Sequence, residues 1–330
     1  MKSAILFFIL FFISFYSYAF SQDTAVSFEM SASKQLMGTE FEITAIHGSI
    51  DSCRKAIYYA FKEIERIEKF ASNYKDSTEM SYVNNNAASF PVKISFELYE
   101  LIKRSIIYSE LYDGYFDITV GPLTDYWGFN SDHPLKTPPD SSLIKHLLTY
   151  VGYKNLALNP NDTTISFLKK GLKIDLGGIA KGYALNRAVM ILHGRGVKNF
   201  LINGGGDIYA SGRKSDGSKW IIGVKDPREN LNIVKRIEVE DCAVLTSGDY
   251  ERYSIINGIR YHHIFNPKNG FPARDCQSAT VVMQNCEEGV MLSKILFICG
   301  KEKLPADIPY YIIMDKGVTD ENSSFTKLSR

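Results

Sequence analysis

The chain has 330 residues, of which 45% are hydrophobic and 23% are charged, and this composition excludes a disordered or fibrous protein. Its formal net charge is +1, from 38 basic and 37 acidic residues, so no overall positive field draws it to nucleic acid. The length permits one large domain or two small ones, and no clean linker divides the chain.

The first 22 residues have the pattern of a secretory signal peptide. Lys2 precedes an apolar run from Ala4 to Phe15, and small and polar residues follow it. We expect cleavage near Ser21 or Gln22, one domain over residues 23–330, and export across an inner membrane to the periplasm. The apolar run is short for a membrane span, and an uncleaved N-terminal anchor is the alternative.

Strands and helices are predicted in blocks along the mature chain. Residues 35–48 alternate apolar and polar side chains, which predicts a strand. Residues 51–72 carry an apolar helical stripe, with Asp51 as the predicted N-cap, and residues 95–114 predict a second helix. Further on, a helix follows a glycine pair at 177–178, several strands and turns follow that helix, and an amphipathic helix is predicted at 289–300. This order favours an α+β fold in a single compact unit.

The five cysteines are Cys53, Cys242, Cys276, Cys286 and Cys299. They include no Cys-x-x-Cys pair, so the sequence implies neither a zinc site nor a dense disulfide framework. Cys276 and Cys286 are close enough in sequence to pair in an oxidising compartment, but the sequence alone leaves this open.

Two glycine-rich segments are candidates for close approach of a ligand to the backbone. Asp175 and two glycines come just before a predicted helix, and three glycines separate Asn203 from Asp207. Glycine permits close approach, and the amides at a helix N-terminus favour phosphate. Neither segment has the Rossmann or P-loop spacing, so a tight turn is the alternative for each.

Adjacent histidines occur at His262 and His263. On a strand they would face opposite sides, so one could enter a cleft while the other does not. Upstream, residues 114–129 bring together several aromatic rings, acids and glycines. That segment is interpreted either as a core-forming loop or as a wall for a flat heterocycle.

These segments together resemble one family, the ApbE-type flavin transferases, which are FAD:protein FMN transferases. The resemblance runs from Met37 to about Gly300 and depends on ordered motifs. They are MGTEFEI, NYKDSTEMSYVN, GYFDITVGPLTDYWGF, DLGGIAKGYALN, LINGGGDIYASG, TSGDYERY and HHIFNPKNGFP.

The resemblance implies a reaction, a fold and a set of site residues. Such enzymes split the pyrophosphate of FAD, transfer FMN to a Thr or Ser hydroxyl of a partner protein and release AMP. The implied fold is ApbE-like and T-fold-related, with mixed sheets and packed helices. His263 matches the family's histidine that acts as base for the acceptor hydroxyl. The positions that match FAD contacts are Met37, Tyr74, Tyr115, Phe116, Asp117, Asp175, Lys181 and Ile264.

The same resemblance implies partners and a metal ion. The partners are FAD and an acceptor flavoprotein subunit outside the cytoplasm, with membrane contact only through that subunit and with no nucleic acid. The family uses Mg²⁺, held by a backbone carbonyl that matches Gly178 and by an Asp and a Thr four residues apart on the last helix. Here Val290 and Lys294 stand at those two positions. Valine offers no oxygen ligand and an ammonium repels a cation, so magnesium is doubtful in this chain.

Lys294 therefore has two interpretations. Its ammonium could occupy the place of the metal and pair with the pyrophosphate, which would make it a catalytic residue beside His263. Alternatively, both positions drifted after loss of function, and Lys294 extends to water. The corresponding functions are an active transferase, a flavin-binding carrier or scaffold without transferase activity, and a degenerate paralogue that serves only in interaction. The nearly intact FAD-facing motifs argue against the third.

Overall fold

The computed structural model describes residues 27–73, 75, 77–129, 135–137, 140–229 and 231–330. The predicted signal peptide and Tyr74 lie outside the described residues. Within the described ranges, no helix is both long enough and apolar enough to cross a membrane.

Strands and helices come in blocks along the described chain, as predicted. The strands are β1 Phe28–Leu36, β2 Thr39–His47, β3 Val92–Lys93, β4 Leu156–Asn159, β5 Thr164–Phe167, β6 Asn199–Gly204, β7 Asp207–Ser211, β8 Trp220–Lys225, β9 Ile233–Val239, β10 Cys242–Gly248, β11 Tyr253–Ile256, β12 Ile259–His262, β13 Cys276–Met283, β14 Tyr310–Met314 and β15 Thr319–Glu321. The α-helices are α1 Ile50–Ala71, α2 Glu79–Asn86, α3 Phe96–Leu111, α4 Gly121–Trp127, α5 Ser141–Leu148, α6 Ala180–Gly194, α7 Cys286–Cys299 and α8 Ser323–Thr326.

The main sheet has eight strands in the order β1-β2-β6-β7-β10-β13-β14-β15, and all neighbours are antiparallel. Two hairpins, β8–β9 and β11–β12, and a small three-stranded sheet, β3-β5-β4, complete the β structure of the described residues. The α+β prediction is confirmed.

Three helices cover one face of the main sheet. α1 packs on β1 and β2, α7 packs on β10 and β13, and α6 lies between α1 and α7. The apolar stripe of α1 is buried in the resulting core, as predicted. α7 is buried on most of its faces, so it is a core helix rather than an amphipathic surface helix. This burial sets Lys294, which is only half-buried, apart from its neighbours.

Two local predictions were wrong. Residues 35–48 do not form one strand, because Met37 (φ 51°) and Gly38 (φ 73°) make a two-residue turn between β1 and β2. Positive φ at both central residues suits the twist of a hairpin. In addition, Ser49 rather than Asp51 caps α1, since the Ser49 hydroxyl accepts a hydrogen bond from the Ser52 amide. Asp51 lies in the first turn, where its charge still favours the helix.

A small aromatic core supports the segment that follows β12. Trp127 is fully buried against Tyr261, Phe265 and Phe129, with its ring centroid 5.3 Å from that of Tyr261. Its indole nitrogen donates to the carbonyl of Gly270. The C-terminal half of residues 114–129 is therefore core-forming, as the first of the two interpretations held.

All five cysteines are free thiols in the structure. Cys276 and Cys286 lie in different elements, at the start of β13 and the start of α7. Burial raises the pKa of both thiols, which keeps them protonated and unreactive. The structure therefore contradicts a disulfide between Cys276 and Cys286.

Candidate functional site

The candidate site lies where the turn before α6 meets α7 and the segment after β12. Asp175, on that turn, is buried, and its carboxylate accepts a hydrogen bond from the amide of Gly177 at 2.8 Å. Its own amide donates to Ile118 at 2.7 Å, which ties the turn to the 114–129 segment. Burial raises the pKa of the Asp175 carboxyl, while the Gly177 amide opposes this shift. The carboxylate thus braces the glycine turn.

α6 begins without a side-chain cap. Ile179 occupies the N-cap position and makes no capping hydrogen bond. An uncapped helix N-terminus leaves donors and a partial positive charge for an anion. Lys181, in the first turn, pairs with Asp207 at 2.7 Å, and Asp207 is 2% exposed. Asp207, at the end of the second glycine-rich segment, thereby pairs with a lysine that follows the first segment.

The two histidines have different environments, as their alternation predicted. His262 is buried: its Nδ1 accepts from the amide of Ile264 at 3.2 Å, so its Nε2–H donates to the carbonyl of Ala273 at 2.5 Å. Burial lowers the pKa of His262 to about 4. Both ring nitrogens are engaged, which makes His262 a structural residue.

His263 is the histidine that keeps one ring nitrogen available as a base. Its Nδ1 lies 3.4 Å from the carbonyl of Arg252, a geometry in which Nδ1–H donates and Nε2 keeps its lone pair. The pKa of His263 is lowered to about 3, chiefly by burial and further by the charges of Lys294, Arg252 and Lys181. The structure thus brings the predicted base and both predicted lysines together.

Arg252 connects this histidine to the β1–β2 turn. Its guanidinium donates to the carbonyl of Gly38 at 3.3 Å, and its carbonyl accepts from the amide of His263 at 3.1 Å. A Cβ on Gly38 would lie 2.8 Å from the guanidinium. Met37, predicted to contact FAD, is therefore held next to Arg252.

Lys294 lies against the glycine turn. A Cβ built on Gly178 would be 3.7 Å from Cε of Lys294 and 3.2 Å from the ring of Phe116. The Lys294 ammonium donates to the carbonyl of Val290 at 3.3 Å. Burial lowers its pKa to about 8, although Asp207 and Asp175 act to raise it.

The remaining predicted contacts are mostly packed within the protein. Phe116 and Ile264 are buried, whereas Tyr115 is partly exposed, with the ammonium of Lys268 5.4 Å from its ring centroid. Asp117 is buried and its two oxygens accept from Thr119 and from the amide of Tyr153. Its carboxylate holds the loop in shape.

Two residues of the site were missed from the sequence. Asp207 and Arg252 lie within quoted motifs, but neither is among the site residues that the sequence predicts. An acid directly after three glycines was the available signal for Asp207. The role of Arg252 depends on a contact between residues more than two hundred positions apart, which no local pattern reveals.

The residues present do not fit the expected magnesium ion. Within the described part of the chain, no three His, Cys, Asp or Glu side chains come together to hold a metal. Val290 is apolar and 1% exposed, and its carbonyl accepts from the Lys294 ammonium. A hard cation needs several oxygen ligands, and an ammonium in the ligand set repels it.

The fold and the site define an α+β protein in which one histidine with an available nitrogen lies among cations at a glycine turn. A family model described as the ApbE family matches residues 37–308, and the chain belongs to this family. A protein from Vibrio cholerae serotype O1, named FAD:protein FMN transferase, is 30% identical over 272 residues, which is 81% of this chain and 80% of its own length. One of the same name from Treponema pallidum is 29% identical over 75% of this chain and 72% of its own length.

Solved structures agree with this assignment. The crystal structure of the ApbE protein from Thermotoga maritima has a TM-score of 0.85 at 33% identity and covers 92% of this chain and 99% of its own. The flavin transferase ApbE from Vibrio cholerae has a TM-score of 0.81 at 28% identity and covers 92% of this chain and 100% of its own. The ApbE-like fold is therefore established for this chain.

Proposed function

We propose that this chain is an FAD:protein FMN transferase. It moves FMN from FAD to a Thr or Ser hydroxyl of a partner protein and releases AMP. Family membership and the names of the relatives support this function. The single observation that carries it is His263, whose Nδ1 is anchored on the carbonyl of Arg252 so that Nε2 keeps its lone pair.

The reaction exchanges the phosphoanhydride bond of FAD for a phosphoester bond to the acceptor. The hydroxyl oxygen of the acceptor forms a bond to the phosphorus of the FMN half, and the bond from that phosphorus to the bridging oxygen breaks. AMP leaves with the bridging oxygen and its electron pair. The hydroxyl proton passes to Nε2 of His263, which is the general base. Catalysis then requires positive charge beside the phosphates and a positioned base.

The surroundings of His263 suit this role once an anion is bound. In the ligand-free protein Lys294, Arg252 and Lys181 disfavour the imidazolium form. A pyrophosphate among these cations offsets their field, so FAD raises the pKa of His263 towards the working range of a base. The start of α6 adds the positive end of a helix dipole, while the amides of Ile179 and Ala180 already donate to the carbonyl of Leu176.

We further infer that the chain acts outside the cytoplasm. The signal-peptide pattern of residues 1–22 supports export to the periplasm, and the expected acceptor is a flavoprotein subunit there that carries a Thr or Ser flavinylation site. Membrane contact is expected only through that subunit.

The test is covalent labelling of acceptor proteins. The purified full chain is incubated with FAD and with periplasmic flavoprotein subunits from the same organism, and FMN-labelled bands are detected by fluorescence and mass spectrometry. His263→Asn should lower the labelling rate by about 10²–10⁴-fold while FAD still binds. His146→Asn is the matched control, because His146 is a surface residue that contacts Tyr150. Full labelling by His263→Asn, or bound FAD without any labelled subunit, would overturn the proposal.

A further inference from the structure

Lys294 carries its charge where the protein gives it little compensation. The residue lies on α7 among apolar side chains, and Val290, one turn earlier, is buried. The ammonium bonds to a carbonyl of its own helix, and the end of the stem lies beside Gly178, so the side chain is half-buried. The side chain is thus held at the glycine turn by these contacts and is not simply extended into solvent.

No carboxylate neutralises this ammonium directly. Among the described residues, none has a carboxylate oxygen within ion-pair distance of Lys294, and the nearby Asp207 already pairs with Lys181. Asp175 is bonded to the amide of Gly177. A half-buried charge without a carboxylate partner is unfavourable. The Lys294 ammonium is therefore an uncompensated positive charge, which an anionic ligand can neutralise.

The two altered positions keep the charge of a metal-loaded site. Relative to an Asp and a Thr at these positions, Val290 removes one negative charge and Lys294 adds one positive charge. The net change is two positive charges, the charge that a divalent cation brings. Drift at two independent positions would not be expected to balance in this way.

We propose that the Lys294 ammonium takes the place of the divalent cation beside the pyrophosphate of FAD, so that FAD binding and flavin transfer by this chain need no metal. This inference depends on the proposed function for its substrate. The ammonium neutralises phosphate oxygens in the bound state and stabilises the charge that develops on AMP as it leaves. Lys294 is thus a catalytic residue, and the end of its stem lies beside Gly178.

The first experiment measures FAD affinity by calorimetry in EDTA and in Mg²⁺. The wild-type protein should bind FAD equally well in both. Lys294→Met should weaken binding by at least about tenfold in both, as expected when a charge-assisted contact is removed. Lys301→Met is the matched control, since Lys301 lies just beyond α7 and pairs with the exposed Asp320. Wild-type affinity that collapses in EDTA and returns with Mg²⁺ would overturn the inference, as would unchanged affinity in Lys294→Met.

The second experiment restores the metal site. The double variant Val290→Asp, Lys294→Thr should bind FAD weakly in EDTA and regain affinity with Mg²⁺, whereas either single variant should stay weak in both. A double variant that ignores Mg²⁺ would contradict the charge-replacement argument.

Thermal unfolding distinguishes a binding role from a structural one. Lys294→Met removes a half-buried charge and replaces it with an apolar side chain of similar length, so the melting temperature without FAD should rise. A melting temperature that falls would show that Lys294 supports the fold instead. The outcomes also separate the two proposals: metal-independent FAD binding without acceptor labelling contradicts the transferase function alone, and labelling that requires Mg²⁺ contradicts only the role of Lys294.

Discussion

Gly182 sets the separation of the two helices that carry the lysines of the site. A Cβ on Gly182 of α6 would lie 2.4 Å from the carbonyl oxygen of Cys286 and 2.8 Å from Cα of Glu287, at the start of α7. Both are backbone atoms, so no side-chain rotation relieves the contact. Ordinary contact needs about 3.4 Å, and Gly182→Ala therefore requires α6 and α7 to separate by roughly 1 Å at this crossing.

The expected consequences concern both stability and chemistry. Overpacking of this kind costs about 1–3 kcal/mol, and we expect the upper end because two backbones collide. Lys181 lies beside Gly182 and Lys294 lies two turns along α7 from the contact, so the separation also moves the cations of the site. Misplacement by about 1 Å can lower a rate by about 10²-fold.

These values are checked by urea denaturation and FAD-dependent labelling of Gly182→Ala, with Gly194→Ala as the control. Gly194 ends the same helix, and a Cβ there would meet nothing within 4 Å. We expect Gly194→Ala to leave labelling unchanged and to stabilise the protein by up to about 1 kcal/mol, through helix propensity. Equal stability and equal activity of the two alanine variants would refute the close-approach argument.

Three further predictions concern His263, His262 and Arg104. Because FAD offsets the cations around His263, the acidic limb of kcat should lie at higher pH than that of kcat/KM, and coincident limbs would contradict this. Because His262 has a pKa of about 4 when folded and 6.5 when unfolded, its contribution to stability is complete above pH 6.5 and is lost as the pH falls towards 4. The loss amounts to about 2 kcal/mol between pH 6.5 and 5. In urea titrations over this pH range, the unfolding free energy of His262→Gln should therefore fall by about 2 kcal/mol less than that of the wild-type protein. Arg104→Met should cost about 3 kcal/mol in urea denaturation, because it leaves the buried Glu287 carboxylate without its two-bond partner. The same substitution at Arg54, which forms an exposed pair, should cost less than about 1 kcal/mol.

Local patterns predicted those parts of the fold that local interactions determine. The apolar stripe of α1 follows from its periodicity, and the tight turn that was the alternative for the second glycine-rich segment joins β6 to β7. The β1–β2 turn was missed because Met37 adopts positive φ, which a non-glycine residue seldom does. The cap of α1 is Ser49 rather than Asp51, because the helix begins at Ile50, before the predicted cap.

The site was predictable to the extent that its residues stand in ordered motifs. The motifs indicated His263 and Lys294, and the structure places both near Lys181. The alternation of the two histidines predicts that they face opposite sides. Which of them keeps an available ring nitrogen depends on the carbonyls of Ala273 and Arg252. Such partners come from distant or irregular segments, and no sequence period encodes them.

A fixed ammonium destabilises the protein before any ligand binds, whereas an exchangeable metal ion does not. A metal arrives with its ligand or shortly before it, so an empty metal site needs to tolerate only its own carboxylate. Lys294 brings its charge into the folded protein before any anion is present, beside Lys181 and against the unfavourable effect of burial, which its lowered pKa of about 8 expresses. Binding of the pyrophosphate relieves this unfavourable state, and FAD should consequently raise the melting temperature of the wild-type protein more than that of Lys294→Met. The site is in this sense preorganised for a dinucleotide: electrostatic strength at the phosphates is obtained at the expense of stability in the ligand-free fold.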